Sequence, residues 1–174
     1  MRSLPVHSEQ GFTQLEIVIV VVVMGILGAV AAPSFLNWVN TRKLEVGLAE
    51  LEGALIEGQN QAIRQSKTCT INLPTGSSPV LSSSPTDCLR TGNRTLEGLQ
   101  LRHSLATPSL SFDFKGRVPS SLTAEQTIVL SIANETNTPS KCLVIAPGIG
   151  LIRVGKYIGT PTTTLASNCK TSTL

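Results

Sequence analysis

Aromatic residues are nearly missing from this chain of 174 residues: one Trp, one Tyr and four Phe make up 3% of it. Any buried core must therefore be built from Leu, Ile and Val, and few rings remain for nucleobases to stack on, which disfavours RNA-stacking folds. Histidine is equally scarce. His7 and His103 are the two in the chain, so no imidazole pair is at hand for a His-based metal site or for acid–base work, and most hydrolase chemistry is set aside. Charged residues are sparse as well, at 14% against 41% hydrophobic. A composition this apolar excludes a disordered chain, and the length suits one folded domain.

Charge is wholly absent from one segment, the 25 residues from Ile17 to Thr41. As a helix it extends about 37 Å, enough to cross a hydrocarbon core of about 30 Å. The alternative is a cleaved secretory signal, whose apolar region runs about 7–15 residues and ends in small residues; Gly28-Ala-Val-Ala-Ala32 fits such an ending. Three features oppose it: Glu16 at the edge of the run, Gly11-Phe12 just before it, and the unbroken continuation into a one-faced helix. A carboxylate at the centre of a membrane helix costs about 2.5–3.5 kcal/mol, and less near the interface. No Lys or Arg lies within four residues of Glu16. Its cation has to come from another chain, or from a new amino terminus made by cutting before Phe12.

Gly11-Phe12-Thr13-Gln14-Leu15-Glu16 followed by the apolar run resembles the processing site of type IV pilins and type II secretion pseudopilins. The resemblance implies that a membrane prepilin peptidase removes residues 1–11 by cutting after Gly11, that Phe12 becomes the N-methylated terminus, and that Glu16 pairs with the terminal amine of a neighbouring subunit. Pro33 matches the family's helix-kinking proline; a proline inside a helix removes one backbone hydrogen bond and bends the axis. Family leaders are short and basic, whereas residues 1–11 offer only Arg2 and the amino terminus against Glu9, and Arg42 and Lys43 flank the far end of the run. Those charges alone argue for the reverse orientation. The processing motif is the more specific signal, and it sets the leader in the cytoplasm and the remainder outside, anchored by a single pass in the inner membrane. The implied partners are other pilin or pseudopilin subunits, the peptidase, the inner-membrane assembly platform and the membrane itself.

Beyond Pro33 the pattern becomes one-faced. Leu44, Leu48, Leu51, Leu55, Ala62 and Ile63 recur at helical spacing, with Glu45, Glu50, Glu52, Glu57 and Arg64 between them, the signature of an amphipathic helix. One helix from Thr13 to about Ser66 is expected, its first half (12–41) in lipid or a filament core and its second (42–66) packed on a head (67–174). Trp38 falls where an interfacial anchor belongs, or else packs on the head.

From Lys67 onward the chain is rich in Ser, Thr, Pro and Gly, with short period-two runs that read as strands: 68–73, 96–101, 110–114, 127–132, 142–145 and 151–154. Lys115-Gly116 and Pro147-Gly148-Ile149-Gly150 supply turn residues for hairpins. Residues 75–85 read as a loop, and 159–174 as a tail without periodicity. The fold class is α+β, pilin-like: a long N-terminal helix on a small antiparallel sheet. Gln61-Ala-Ile-Arg64, Phe112-Asp-Phe-Lys-Gly116-Arg117 and Gly150-Leu-Ile-Arg153-Val-Gly155 further resemble the H-type (GspH) minor pseudopilins and FimT-like minor pilins.

Cys69, Cys88, Cys142 and Cys169 all lie in the head, which suits an oxidising compartment. Of the three possible pairings, Cys69–Cys88 and Cys142–Cys169 are favoured, because they clip the loop after the first strand and the loose tail. A closed loop of about 15 residues is worth roughly 3 kcal/mol in the chain-entropy model. A zinc site is the alternative, opposed by the absence of a short Cys-x-x-Cys spacing. His103 reads as an exposed strand residue without a nearby nucleophile. With no catalytic constellation, no metal site and no cofactor expected, the function has to be assembly: a minor pilin or pseudopilin, in the body or at the tip of a type IV pilus or type II secretion pseudopilus. The head carries ten Lys and Arg against five Asp and Glu. This supports a second reading, DNA binding for uptake, with Arg153 and Lys156 as candidate contacts.

Overall fold

The computed structural model describes residues 11–119, 124–135, 139–160 and 163–171; apart from Gly11, the expected leader lies outside them. The chain divides into two compact units, one ending at Trp38 and the other spanning Val39–Leu174. Helix α1 (Gln14–Gln65) belongs to both. It ends in a Schellman arrangement: the Lys67 N–H donates to the Ala62 carbonyl (3.2 Å), the Ser66 N–H to that of Ile63 (3.3 Å), and Ser66 takes a left-handed φ of 52°.

In the second unit, α1 buries Leu44, Leu51, Ala54, Leu55 and Ala62 completely. The same unit holds ten strands among the described residues: β1 (Cys69–Asn72), β2 (Gly76–Ser77), β3 (Val80–Ser84), β4 (Arg94–Thr95), β5 (Leu99–His103), β6 (Ser109–Phe112), β7 (Gln126–Ile132), β8 (Ser140–Ile145), β9 (Ile152–Tyr157) and β10 (Cys169–Thr171). A four-stranded sheet has the order β4-β3-β1-β6 and a six-stranded sheet the order β10-β9-β8-β7-β5-β2. Every ladder is antiparallel. Both sheets and the helix share one core, in which Ile71, Leu81, Leu101, Phe112, Ile128, Leu130 and Leu143 belong to one cluster with the helical leucines. This is the α+β, pilin-like architecture the sequence implied. Gly58 sets the helix close to β1, since a Cβ there would stand 2.7 Å from Cδ1 of Ile71.

Five local readings are corrected. Residues 75–85 are not a loop but carry β2 and β3; in β3, Leu81 and Ser83 point inward, and the buried Ser83 hydroxyl is satisfied by donating to the Pro85 carbonyl (2.9 Å) and accepting from the Leu89 N–H (3.2 Å). The tail is not without structure, because Cys169–Thr171 pairs with β9. The strand expected at 96–101 begins at Leu99, after a turn in which the Leu99 N–H donates to the Leu96 carbonyl (3.2 Å); the one expected at 110–114 stops at Phe112, where Asp113 opens a turn. His103 is half-buried rather than exposed, with Nε2 3.1 Å from the Leu73 carbonyl.

Candidate assembly helix and head surfaces

Among the described residues of the first unit, the helix is apolar and exposed. Thr13 caps α1: its Oγ1 accepts the Glu16 N–H at 3.3 Å, and the Thr-x-x-Glu spacing is that of a capping box, with the glutamate in the first turn where negative charge suits the helix dipole. That signal stands in the sequence and was missed by reading Glu16 only as a membrane carboxylate. Among the described residues, the Glu16 carboxylate has no ion pair. Gly11, Phe12 and Thr13 precede the helix, and Phe12 is 78% exposed. From Leu15 to Leu27 the large apolar side chains are all exposed. α1 is long and apolar enough to cross a membrane, and none of its most apolar window is buried. Phe35 and Trp38 stack with ring centroids 6.0 Å apart. Pro33 lies within α1.

In the head, two hairpin turns converge on one helical side chain. Gln59 donates from Nε2 to the Gly116 carbonyl (2.7 Å) and reaches that of Gly150 (3.5 Å). The turn 113–117 is held by Asp113, whose Oδ1 accepts the N–H groups of Lys115 (2.9 Å) and Arg117 (2.8 Å). The Arg117 N–H, then burial acting in the opposite sense, then the Arg117 side chain leave its carboxyl below the usual Asp range. Val118 bridges to Gly148 at the β8–β9 hairpin. The segments around Arg64, Gly116 and Gly150, far apart in sequence, thus form one corner of the head. Gly150 has φ +69°, and a Cβ on it would stand 2.9 Å from the Gly116 carbonyl oxygen. Gly150→Ala is expected to destabilise the chain by about 2–4 kcal/mol, combining backbone strain with overpacking. Gly92→Ala, at φ +82° but with nothing within 4 Å, should cost only about 1–2 kcal/mol. Urea unfolding of the two variants checks the difference.

The disulfides join Cys69 to Cys88 and Cys142 to Cys169, each with 5.8 Å between Cα atoms. The second spans β9 and forms a small cluster with Val129 and Tyr157; the Tyr157 hydroxyl bonds Thr163 (2.9 Å) and accepts the Leu165 N–H (3.2 Å), folding the tail onto it. Among the described residues, no three His, Cys, Asp or Glu side chains gather to hold a metal.

Arg153 and Lys156 lie on one strand but not on one face. They are three residues apart in β9, and side chains alternate; Arg153 is also paired with Glu125. Three of the other basic groups are ion-paired: Lys67 with Asp87 (2.7 Å), Arg94 with Glu57 and Arg117 with Asp113. Arg102 has Nε and one terminal nitrogen buried without partners, and burial lowers its pKa. Lys156 instead stands opposite Lys141 on one side and Lys170 on the other. This lysine row crosses β8, β9 and β10 with no acidic partner among the described residues. Like charges directly opposite in a sheet are unfavourable, so the row is a concentrated positive feature of the head. Positions 141, 156 and 170 carry no sequence signal of their neighbourhood, which only the strand register creates.

No known family's sequence model matches the chain, and no curated relative matches it either. Solved structures do. The type IV minor pilin FimU of Pseudomonas aeruginosa (strain PAO1) is similar in two crystal forms, with TM-score 0.52 in each and 15% and 17% identity, over 72% and 69% of this chain and 98% of FimU. The minor pseudopilin EpsH from the type 2 secretion system of Vibrio cholerae aligns with TM-score 0.50 and 17% identity, over 70% of this chain and 99% of EpsH. The chain has the fold of these minor pilin and pseudopilin subunits.

Proposed function

We propose that the chain is a minor pilin or minor pseudopilin, a non-enzymatic subunit of a type IV pilus or a type II secretion pseudopilus. One observation carries the reading: an uncovered apolar helical half is continuous, through α1, with a disulfide-linked head of the FimU and EpsH fold. Such a surface is not stable in water and requires lipid or other apolar helices around it. Residues 1–11 are the leader removed by a prepilin peptidase after Gly11, and Phe12 becomes the N-methylated terminus. Glu16 and Pro33 then serve helix packing in the filament. The subunit waits in the inner membrane with its head outside the cytoplasm, and the assembly platform moves it into a periplasmic or surface filament among other pilin subunits, at the tip as a minor component. An epitope-tagged chain produced beside a working assembly machinery is expected in the sheared or pelleted filament fraction. Confinement to the membrane fraction overturns the proposal.

The lysine row favours DNA binding as a second reading, with Lys141, Lys156 and Lys170 in place of the Arg153–Lys156 pair, since three adjacent ammonium groups without acidic partners suit a phosphate backbone. The detergent-solubilised full chain should bind duplex DNA with a logarithmic salt slope that falls by about 2–3 when all three lysines become alanine, at about 0.9 per phosphate contact. An unchanged slope, or no binding at low salt, removes this reading.

A further inference from the structure

Where the charge-free run ends, α1 and the segment 95–99 enclose a groove of about 540 Å³, and all of its lining residues belong to the Val39–Leu174 unit. Val39, Lys43, Val46 and Glu50 follow one another along the helix at spacings of four, three and four, one face of α1. The opposite wall is Thr95–Leu99, with Glu97 exposed. The Lys43 ammonium lies against Gly98, next to Glu97. Neither Lys43, Glu50 nor Glu97 has an ion pair among the described residues, and Arg42, also in the wall, is bridged to Glu45 (3.1 Å).

Chain connectivity sets the depth of this groove. Arg42 and Lys43 are the first charges after Ile17–Thr41, so in a membrane-anchored chain they stand at the headgroup level of the outer leaflet. From the end of the charge-free run along α1, at about 1.5 Å per residue, the groove offers apolar Val39, then cationic Lys43, then Val46 and the Glu50 carboxylate, with Glu97 on the opposite wall beside Gly98. A glycerophospholipid presents the same order outward: acyl and glycerol carbons, phosphate, then the headgroup substituent. Arg42 and Lys43 against Glu50 and Glu97 leave the lining of the groove without net charge, so it does not suit an anionic lipid. A cation followed by carboxylates instead complements a zwitterion whose terminal group donates hydrogen bonds.

We infer that this groove is a binding site for a phosphatidylethanolamine headgroup, with phosphate at Lys43 and ammonium at Glu97 and Glu50. The bound lipid holds the head's first turn at the bilayer until the subunit is extracted. The inference rests on the membrane-anchored reading of the chain.

The test uses the detergent-solubilised full chain with dioleoyl-phosphatidylethanolamine, -phosphatidylglycerol and -phosphatidylcholine in equal amounts, read by native mass spectrometry. One ethanolamine lipid per chain should be retained in preference to the other two, and Lys43→Gln and Glu97→Gln should each reduce that retention about fivefold, the effect of one charge at a headgroup surface. Equal retention of the three lipids, a preference for phosphatidylglycerol, or retention unchanged in both variants overturns the site. Flotation with phosphatidylcholine vesicles separates the two readings. A chain that floats without ethanolamine preference disproves the groove alone, whereas a chain that fails to float disproves the anchor and the groove together.

Discussion

Mass spectrometry of the membrane form is expected to find an amino terminus at N-methylated Phe12, with residues 1–11 gone. Peptide bonds inside a helix are closed to proteases, while exposed non-helical segments are open to them. The bond in question lies on the open side of that boundary: Gly11, Phe12 and Thr13 precede α1, which starts at Gln14, and no atom stands within 4 Å of where a Gly11 side chain would begin. Leaving the cap on Thr13 places it one residue inside the new terminus, so cleavage does not disturb the helix start. Gly11→Leu introduces a branched chain at the position where the peptidase requires a small residue, and is expected to leave the precursor uncut. A mature chain that still begins at Met1, or one that begins near Ala32, disproves the leader and with it the assembly reading.

The sequence exposes this architecture unevenly, for physical reasons that can be named. α1 was legible almost to the residue, because about fourteen turns of helix repeat the same signal: first uninterrupted apolar residues, then leucines at 44, 48, 51 and 55. Strands β7 and β8 were legible because β7 is buried at every position and pairs Ile128 and Val129 with the buried Leu143 and Cys142 of β8, which gives short, dense apolar runs. Strand β3 was not legible. Its inward positions are Leu81 and Ser83, and a serine satisfied by the Pro85 carbonyl and the Leu89 N–H looks in sequence like loop composition. Strand β10 has three residues and is held by the Cys142–Cys169 bridge and its ladder to β9, neither of which leaves a periodic trace.

The same division runs through the candidate sites. Gly11, Phe12 and Glu16 form a local motif, readable within six residues. The lysine row and the Gln59 corner depend on which strand lies beside which, and no local pattern encodes that. Reading charges by sequence proximity therefore joined Arg153 to Lys156, although strand alternation separates them and Glu125 neutralises the first; register joins Lys156 to Lys141 and Lys170 instead.

Glu16→Ala is expected to insert into the membrane at least as well as the wild type yet to be lost from filaments. Two roles of the residue have to be weighed. As the third helical residue after the Thr13 cap, its carboxylate interacts with the helix dipole by about 0.3–1 kcal/mol, but the hydrogen bond to Thr13 comes from its backbone N–H and survives the substitution. The helix start is thus retained, and removing a charge from the edge of the apolar run lowers the insertion penalty. In the filament the balance reverses. There the carboxylate is proposed to pair with the Phe12 amine of an adjacent subunit among apolar helices, and deleting one member of a buried pair leaves the other uncompensated at about 3–5 kcal/mol. Incorporation into sheared filaments should fall by about two orders of magnitude or more, the equivalent of that loss, while membrane levels hold. A Glu16→Ala subunit recovered in filaments at the wild-type ratio refutes the pairing, and assigns recruitment of this subunit to its head.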